Sequence, residues 1–335
     1  GYYISKELGM FDFDFGFRLD QIERSGSVSE EEHEDEHGDD HGDEHGDEHG
    51  EVDYYNIDDT TSSFAVTLGR SLSDNLDVSL GYASFERLPS SIELFMNGPH
   101  MATGRFEVGD PNLNSETSNN FDVTFNFDNG DFYAFASFYI TDVDNYIALI
   151  DEEEEDHMDE DEHHEDEDEH HEDEDEHDDH GNLIHANYMQ KDAEFDGYEI
   201  EFGRSFDLGS GELALSFGRD VVNAEFADGH NVPRINPARN IYSLVYTQDD
   251  LLFKLMLKDV EKQNDFGEGE TATDSYQMLN TRLTKTFNAM GNGELKVSLF
   301  ANNLLDEVAR NHSSFVKDEV PLPGRNYGLK FNLTF

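Results

Sequence analysis

A chain of 335 residues with 78 acidic against 21 basic side chains, no cysteine and no tryptophan carries a formal net charge of −57. This rules out a disulfide scaffold and thiolate metal ligation, leaving imidazole and carboxylate as the strong ligands. It also argues against nucleic acid as a partner, because phosphate binding needs clustered lysine and arginine. No apolar run reaches the roughly 18 residues of a transmembrane helix.

In chain order, the first signal is period two. Phe11, Phe13, Phe15, Phe17 and Leu19 alternate with Asp12, Asp14, Gly16, Arg18 and Asp20, which predicts a strand with one apolar and one polar face. The pattern returns at Phe64, Val66 and Leu68; at Leu76, Val78, Leu80 and Tyr82; and at Phe121, Val123, Phe125 and Phe127. It continues at Tyr198, Ile200 and Phe202, at Leu251 to Leu257, at Leu295 to Leu299, and at Tyr327 to Phe335. About twelve such segments are expected, most near the roughly ten residues of a tilted membrane-spanning strand.

The links between them alternate in length. Short turn signals fall at 73–75, 128–130, 207–211, 248–250 and 288–293, and long polar links at 25–59, 87–117, 151–185, 227–239, 264–274 and 305–323. Strict alternation sends every long link to one edge of the sheet, the habit of outer-membrane barrels with their long loops outside. The expected fold is therefore an all-β antiparallel transmembrane barrel. A soluble sandwich also alternates, but Asp12, Arg18, Glu199, Glu201, Lys254, Lys258, Arg282 and Lys330 on the polar face suit a watery lumen. Tyr82, Tyr139, Tyr246, Phe287 and Phe335 near strand ends are expected to form interfacial girdles.

Two long links carry unusual chemistry. Residues 30–51 hold 13 carboxylates, and residues 151–180 hold 22 carboxylates with no lysine or arginine; neither can bury a core, so both are expected to be solvated. Of the 16 histidines, 12 lie in these runs: His33, His37, His41, His45 and His49, then His157, His163, His164, His170, His171, His177 and His180. A merely solubilising run needs no imidazole, whereas imidazole with carboxylate ligates zinc and similar divalent ions. The expectation is a shallow metal sponge of many overlapping weak sites, in which protons compete for nitrogen. The match of residues 33–37 to the HExxH pattern is set aside, since the repeated glycines after it disfavour the helix that pattern needs. No phosphate loop, G-x-S-x-G elbow or cysteine nucleophile exists, so no enzymatic activity is expected.

The stretch FERLPSSIEL at 85–94, NGPHMATGRFEVGDPNL at 97–113 and Glu116 resemble the mid-barrel signature of TonB-dependent outer-membrane receptors. The part spanning Gly98 to Gly109 is more narrowly similar to that family's zinc-uptake receptors. Asp110 stands where many relatives have Asn. LFANNLLDE at 299–307, PGR at 323–325 and the terminal Phe335 resemble the family's ending.

The resemblance implies that residues 1–335 are the C-terminal portion of a 22-stranded barrel of the Gram-negative outer membrane, with 25–59 and 151–185 as extracellular loops. An N-terminal plug and a TonB-contacting box would lie outside this sequence, and a chain opening on Gly1 is expected to be a piece of something longer. The implied partners are the TonB complex, lipid and a metal ion, with Zn²⁺ as cargo. His100, with Glu93 and Glu107 near it, is implied to contribute to a zinc site in the mouth. His185, His230 and His312 are expected to be solvent-exposed. A passive barrel or adhesin with calcium-binding loops, a soluble metal-sequestering protein, and a receptor for copper, nickel or a metal chelate are the alternatives.

Overall fold

The computed structural model describes residues 1–29, 52–152, 183–288 and 293–335. Among them thirteen strands form an antiparallel meander: β1 (Tyr2–Leu8), β2 (Phe11–Ser29), β3 (Val52–Ser73), β4 (Leu76–Arg87), β7 (Glu116–Asp128), β8 (Phe132–Asp151), β9 (Ile184–Asp207), β10 (Glu212–Phe226), β11 (Arg239–Gln248), β12 (Leu251–Val260), β13 (Tyr276–Asn288), β14 (Glu294–Asn302) and β15 (Asn326–Thr334). A short helix α1 (Ser91–Phe95) and the hairpin β5 (Asn97–His100) and β6 (Arg105–Val108) fill the link between β4 and β7. The all-β expectation holds. The sequence pattern does not pick out β1 or the β5–β6 hairpin.

Register explains why the alternation matters. Val66 of β3 lies opposite Phe15 and Tyr82, Tyr82 opposite Phe121, and Phe121 opposite Ile140. Phe217 then links Phe202 to Tyr242, and Leu299 links Leu283 to Leu329. Apolar side chains thus meet apolar side chains across the sheet as one band, and the band is left open to its surroundings, with Phe121 at 50% and Leu299 at 56% exposure. A one-residue slip at any strand would turn that strand's band to the other face.

Tyr139 is a correction. It pairs with Gly197 and Asp122 on the polar face, and its ring covers Gly197, where a Cβ would come within 2.5 Å of the hydroxyl. It therefore belongs to no girdle on the apolar band.

Strand length singles out two hairpins. β2 and β3 run 19 and 22 residues and β8 and β9 run 20 and 24, against 9 or 10 for β11, β12, β14 and β15. At roughly 3.3 Å per residue the surplus of about ten residues adds some 30 Å of strand, measured along its own axis, past the ends of the short strands. Pairing continues to Ser29 with Val52 and to Asp151 with Ala186. Both acid-rich runs therefore spring from the tips of the longest hairpins, on the same edge of the sheet, and strand structure takes in the ends of the two expected loops.

The packed cores lie on that edge too. Ala148, Ala193, Ala224, Phe226 and Val232 form one, and Val260, Tyr276 and Ala309 form another. The long links fold back onto the upper ends of the strands and bury apolar surface there. No helix among the described residues is long and apolar enough to cross a membrane.

Candidate functional site at the mouth

The β5–β6 hairpin turns through residues 101–104. The N–H groups of Thr103 and Gly104 both donate to the His100 carbonyl at 3.0 Å, and Gly104 takes a φ of +68° that favours glycine. His100 pairs with Arg105 and Gly98 with Glu107, so His100 and Glu107 are diagonal neighbours. His100 Nδ1 lies 2.9 Å from Glu107 Oε1. The Thr103 hydroxyl donates to the same oxygen at 2.6 Å, and the Tyr188 hydroxyl donates to Oε2 at 3.1 Å. Glu107 is completely buried, while the His100 side chain keeps 40% of its surface. Burial, then the charge and hydrogen bond of Glu107, push the Tyr188 hydroxyl well above the usual phenol range, so Tyr188 stays a donor.

Glu93 serves another purpose. Ser90 and Glu93 form a capping box on α1, with the Glu93 carboxylate accepting from the Ser90 N–H at 2.6 Å. Arg87 donates to both Glu93 oxygens at 3.0 Å and to Glu116 at 2.9 Å. Gly109 lets β6 close on this helix, since a Cβ there would come within 2.8 Å of the Leu94 and Phe95 backbone. The expected grouping of His100, Glu107 and Glu93 is therefore not assembled. The structure pairs His100 with Glu107 and commits Glu93 to Arg87 and the helix cap. Among the described residues no three His, Asp or Glu side chains are placed to hold a metal ion.

The acidic run after β8 begins on this hairpin. Arg105 forks onto Asp151 with bonds of 2.5 and 2.6 Å, and Arg105, Phe106 and Glu107 pair in parallel with Ile184, His185 and Ala186 at the start of β9. Asp151, read from sequence as part of a solvated run, is 7% exposed. Arg105 neutralises it in two-pronged geometry, which is why burial is tolerated. Arg234 also approaches Asp151 at 3.8 Å, and the Arg105 and Arg234 guanidiniums lie 4.7 and 3.6 Å from the centroid of the Phe315 ring.

His312 is buried, against the expectation of a solvent-exposed loop histidine. It is 1% exposed, with Nδ1 3.0 Å from the Thr273 hydroxyl and Nε2 3.7 Å from Glu270. Burial alone would raise the Glu270 carboxyl, but His312, the N–H groups of Arg234 and Gly267, and Lys317 bring it down to about 2. His185 stacks on Phe106 with centroids 5.1 Å apart, whereas His230 stays 65% exposed beside Asp228, as expected. His33, His37, His41, His45, His49, His157, His163, His164, His170, His171, His177 and His180 lie outside the described residues.

Residues 5–304 match the family described as TonB dependent receptor-like, beta-barrel. The chain belongs to this TonB-dependent receptor family. Its members are outer-membrane β-barrels and transporters, not enzymes, and the apolar band is the face such a barrel turns to lipid. Among solved structures the receptor chain is similar to the copper transporter OprC, with 17% identity, a TM-score of 0.69, and 98% of this chain and 47% of that one covered. It is also similar to the ferric-catecholate import receptor Fiu from E. coli K12, at 15% identity, TM-score 0.61 and 99% against 43% coverage. The ferric citrate transporter FecA gives 12%, 0.60, and 98% against 44%. At these identities the likeness is one of fold. The chain spans under half the length of each.

Sequence reading missed Thr103 and Tyr188, which reach Glu107 from four residues before it and 81 after it. It also missed the acidic groove of about 600 Å³ on β8, β9 and β10, where Asp142, Glu194 and Glu225 fall directly opposite one another. Only cross-strand register reveals such a row.

Proposed function

We propose that this receptor chain is the C-terminal part of a barrel that imports zinc, and that its histidine- and acid-rich runs gather the ion at the mouth. The observation that carries the reading is the concentration of 12 of 16 histidines in the two acidic runs. Two further facts support it. Both runs leave the sheet by the same edge, and both feet of the second stand on Arg105, five residues from His100. An acidic field at a narrow mouth can raise capture rates roughly 10- to 1,000-fold at low salt. In this reading Zn²⁺ passes from weak loop sites to His100 and to ligands supplied from elsewhere in the full receptor. Energy transmitted through TonB then displaces the plug.

The donors favour zinc over copper(I). The two runs pair imidazole with carboxylate and contain a single thioether, Met158, whereas copper(I) selects soft sulfur ligands. Copper(II) and nickel accept the same nitrogen and oxygen donors and form the second reading.

The test is zinc uptake under zinc limitation in a strain lacking the full-length gene. Complementation with wild type should restore uptake. His100→Ala and deletion of residues 30–51 or 153–182 should each restore it only in part, with copper and nickel uptake unchanged. Full zinc uptake by all three variants overturns the assignment, and loss of copper uptake instead of zinc moves the cargo to copper.

A further inference from the structure

Glu107 and His100 lie side by side, and two different parts can be given to the carboxylate: ligand to the ion, or support for the imidazole. Geometry separates them. A carboxylate can only accept, and Glu107 accepts from three directions, from the His100 ring and the Thr103 hydroxyl at Oε1 and from the Tyr188 hydroxyl at Oε2. With Nδ1 carrying the proton that Glu107 receives, the lone pair of His100 sits on Nε2, across the ring. An ion about 2.0 Å beyond Nε2 stands about 7 Å from Glu107 Oε1, more than three times the length of a zinc–oxygen bond. One carboxylate cannot hold the proton of Nδ1 and ligate the ion on Nε2 together. Exposure agrees, since Glu107 has none and His100 keeps 40% of its side-chain surface.

We infer that Glu107 is a positioning residue, held by Thr103 and Tyr188, which fixes the tautomer and orientation of His100 so that Nε2 alone faces the ion. This rests on reading the mouth as a zinc-import site. The arrangement extends over three elements: His100 ends β5, Glu107 lies in β6, and Tyr188 lies in β9 just past the second acidic run. Supporting partners of this kind typically change metal affinity 10- to 100-fold when removed.

The experiment uses the full-length receptor in detergent, loaded with about half an equivalent of zinc so that the tightest site fills first. Affinity is read by competition with a chromophoric chelator, and the ligand shell by zinc K-edge absorption. Glu107→Gln should weaken binding about 10- to 100-fold while leaving the number of imidazole and oxygen neighbours unchanged. Tyr188→Phe and Thr103→Val should weaken it in the same sense, and Thr103→Ser, which keeps the hydroxyl, should bind like wild type. His100→Ala should remove one imidazole from the shell.

Loss of an oxygen neighbour in Glu107→Gln would make Glu107 a ligand and end the inference, leaving the zinc site standing. Wild-type affinity in both Glu107→Gln and Tyr188→Phe ends it equally. If His100→Ala leaves affinity and shell unchanged, the zinc reading of the mouth itself fails, whatever Glu107 does.

Discussion

At the scale of single residues the mouth holds charges withdrawn from water, and partners from distant parts of the chain offset them where the structure pairs them. Glu270 is the clearest case, its carboxyl brought down to about 2 by His312, two backbone N–H groups and Lys317 after burial has pushed the other way. A carboxyl lowered in the folded state stabilises that state fully above its unfolded pKa of about 4.3 and ceases to as pH falls toward 2. Thermal unfolding in detergent should therefore show wild type more stable than Glu270→Gln at pH 6, with the gap shrinking between about pH 4.5 and 2. A gap independent of pH over that window would show that the ionised carboxylate is not what Glu270 contributes. The sequence holds no hint of this environment, because its partners come from residues 234, 267, 312 and 317.

At the scale of elements, hairpin length and loop anchoring decide what the tips can do. β8 and β9 carry the second acidic run far beyond the lipid-facing band, and Asp151 nails its first foot to Arg105 while β6 pairs with the other. Asp151→Ala would leave the Arg105 guanidinium buried without its counter-charge, at a cost of about 3–5 kcal/mol. Its expected signature is a lower melting temperature together with faster proteolysis in residues 183–192, and unchanged cleavage there would mean the foot is held by strand pairing alone. The hairpins and their shared edge were legible from period-two patterning and alternating link lengths, since both arise within short windows of sequence. The β5–β6 hairpin was not, because four-residue strands are too short to show a period.

At the scale of the whole molecule, the apolar band is continuous because the cross-strand register along it sets apolar residues opposite apolar residues from strand to strand. Phe138 sits between Val123 and Tyr198 in that band and is 48% exposed. Phe138→Arg should destabilise the barrel by about 2–4 kcal/mol near the bilayer midplane, read as a lower urea midpoint for folding into lipid vesicles. A neutral result would place this face away from lipid.

The sequence by itself determined the all-β class, the alternation of short and long links, the two histidine- and acid-rich runs and the absence of thiolate chemistry. These follow from periodicity and composition, which act between residues close together in the chain. Tertiary structure alone decided that Asp151 and His312 are buried, that Glu93 serves Arg87 and a helix cap, and that Glu107 carries His100, Thr103 and Tyr188. Each of those outcomes depends on how far water is excluded and on which partner arrives from another strand, and both are properties of folded space rather than of local pattern.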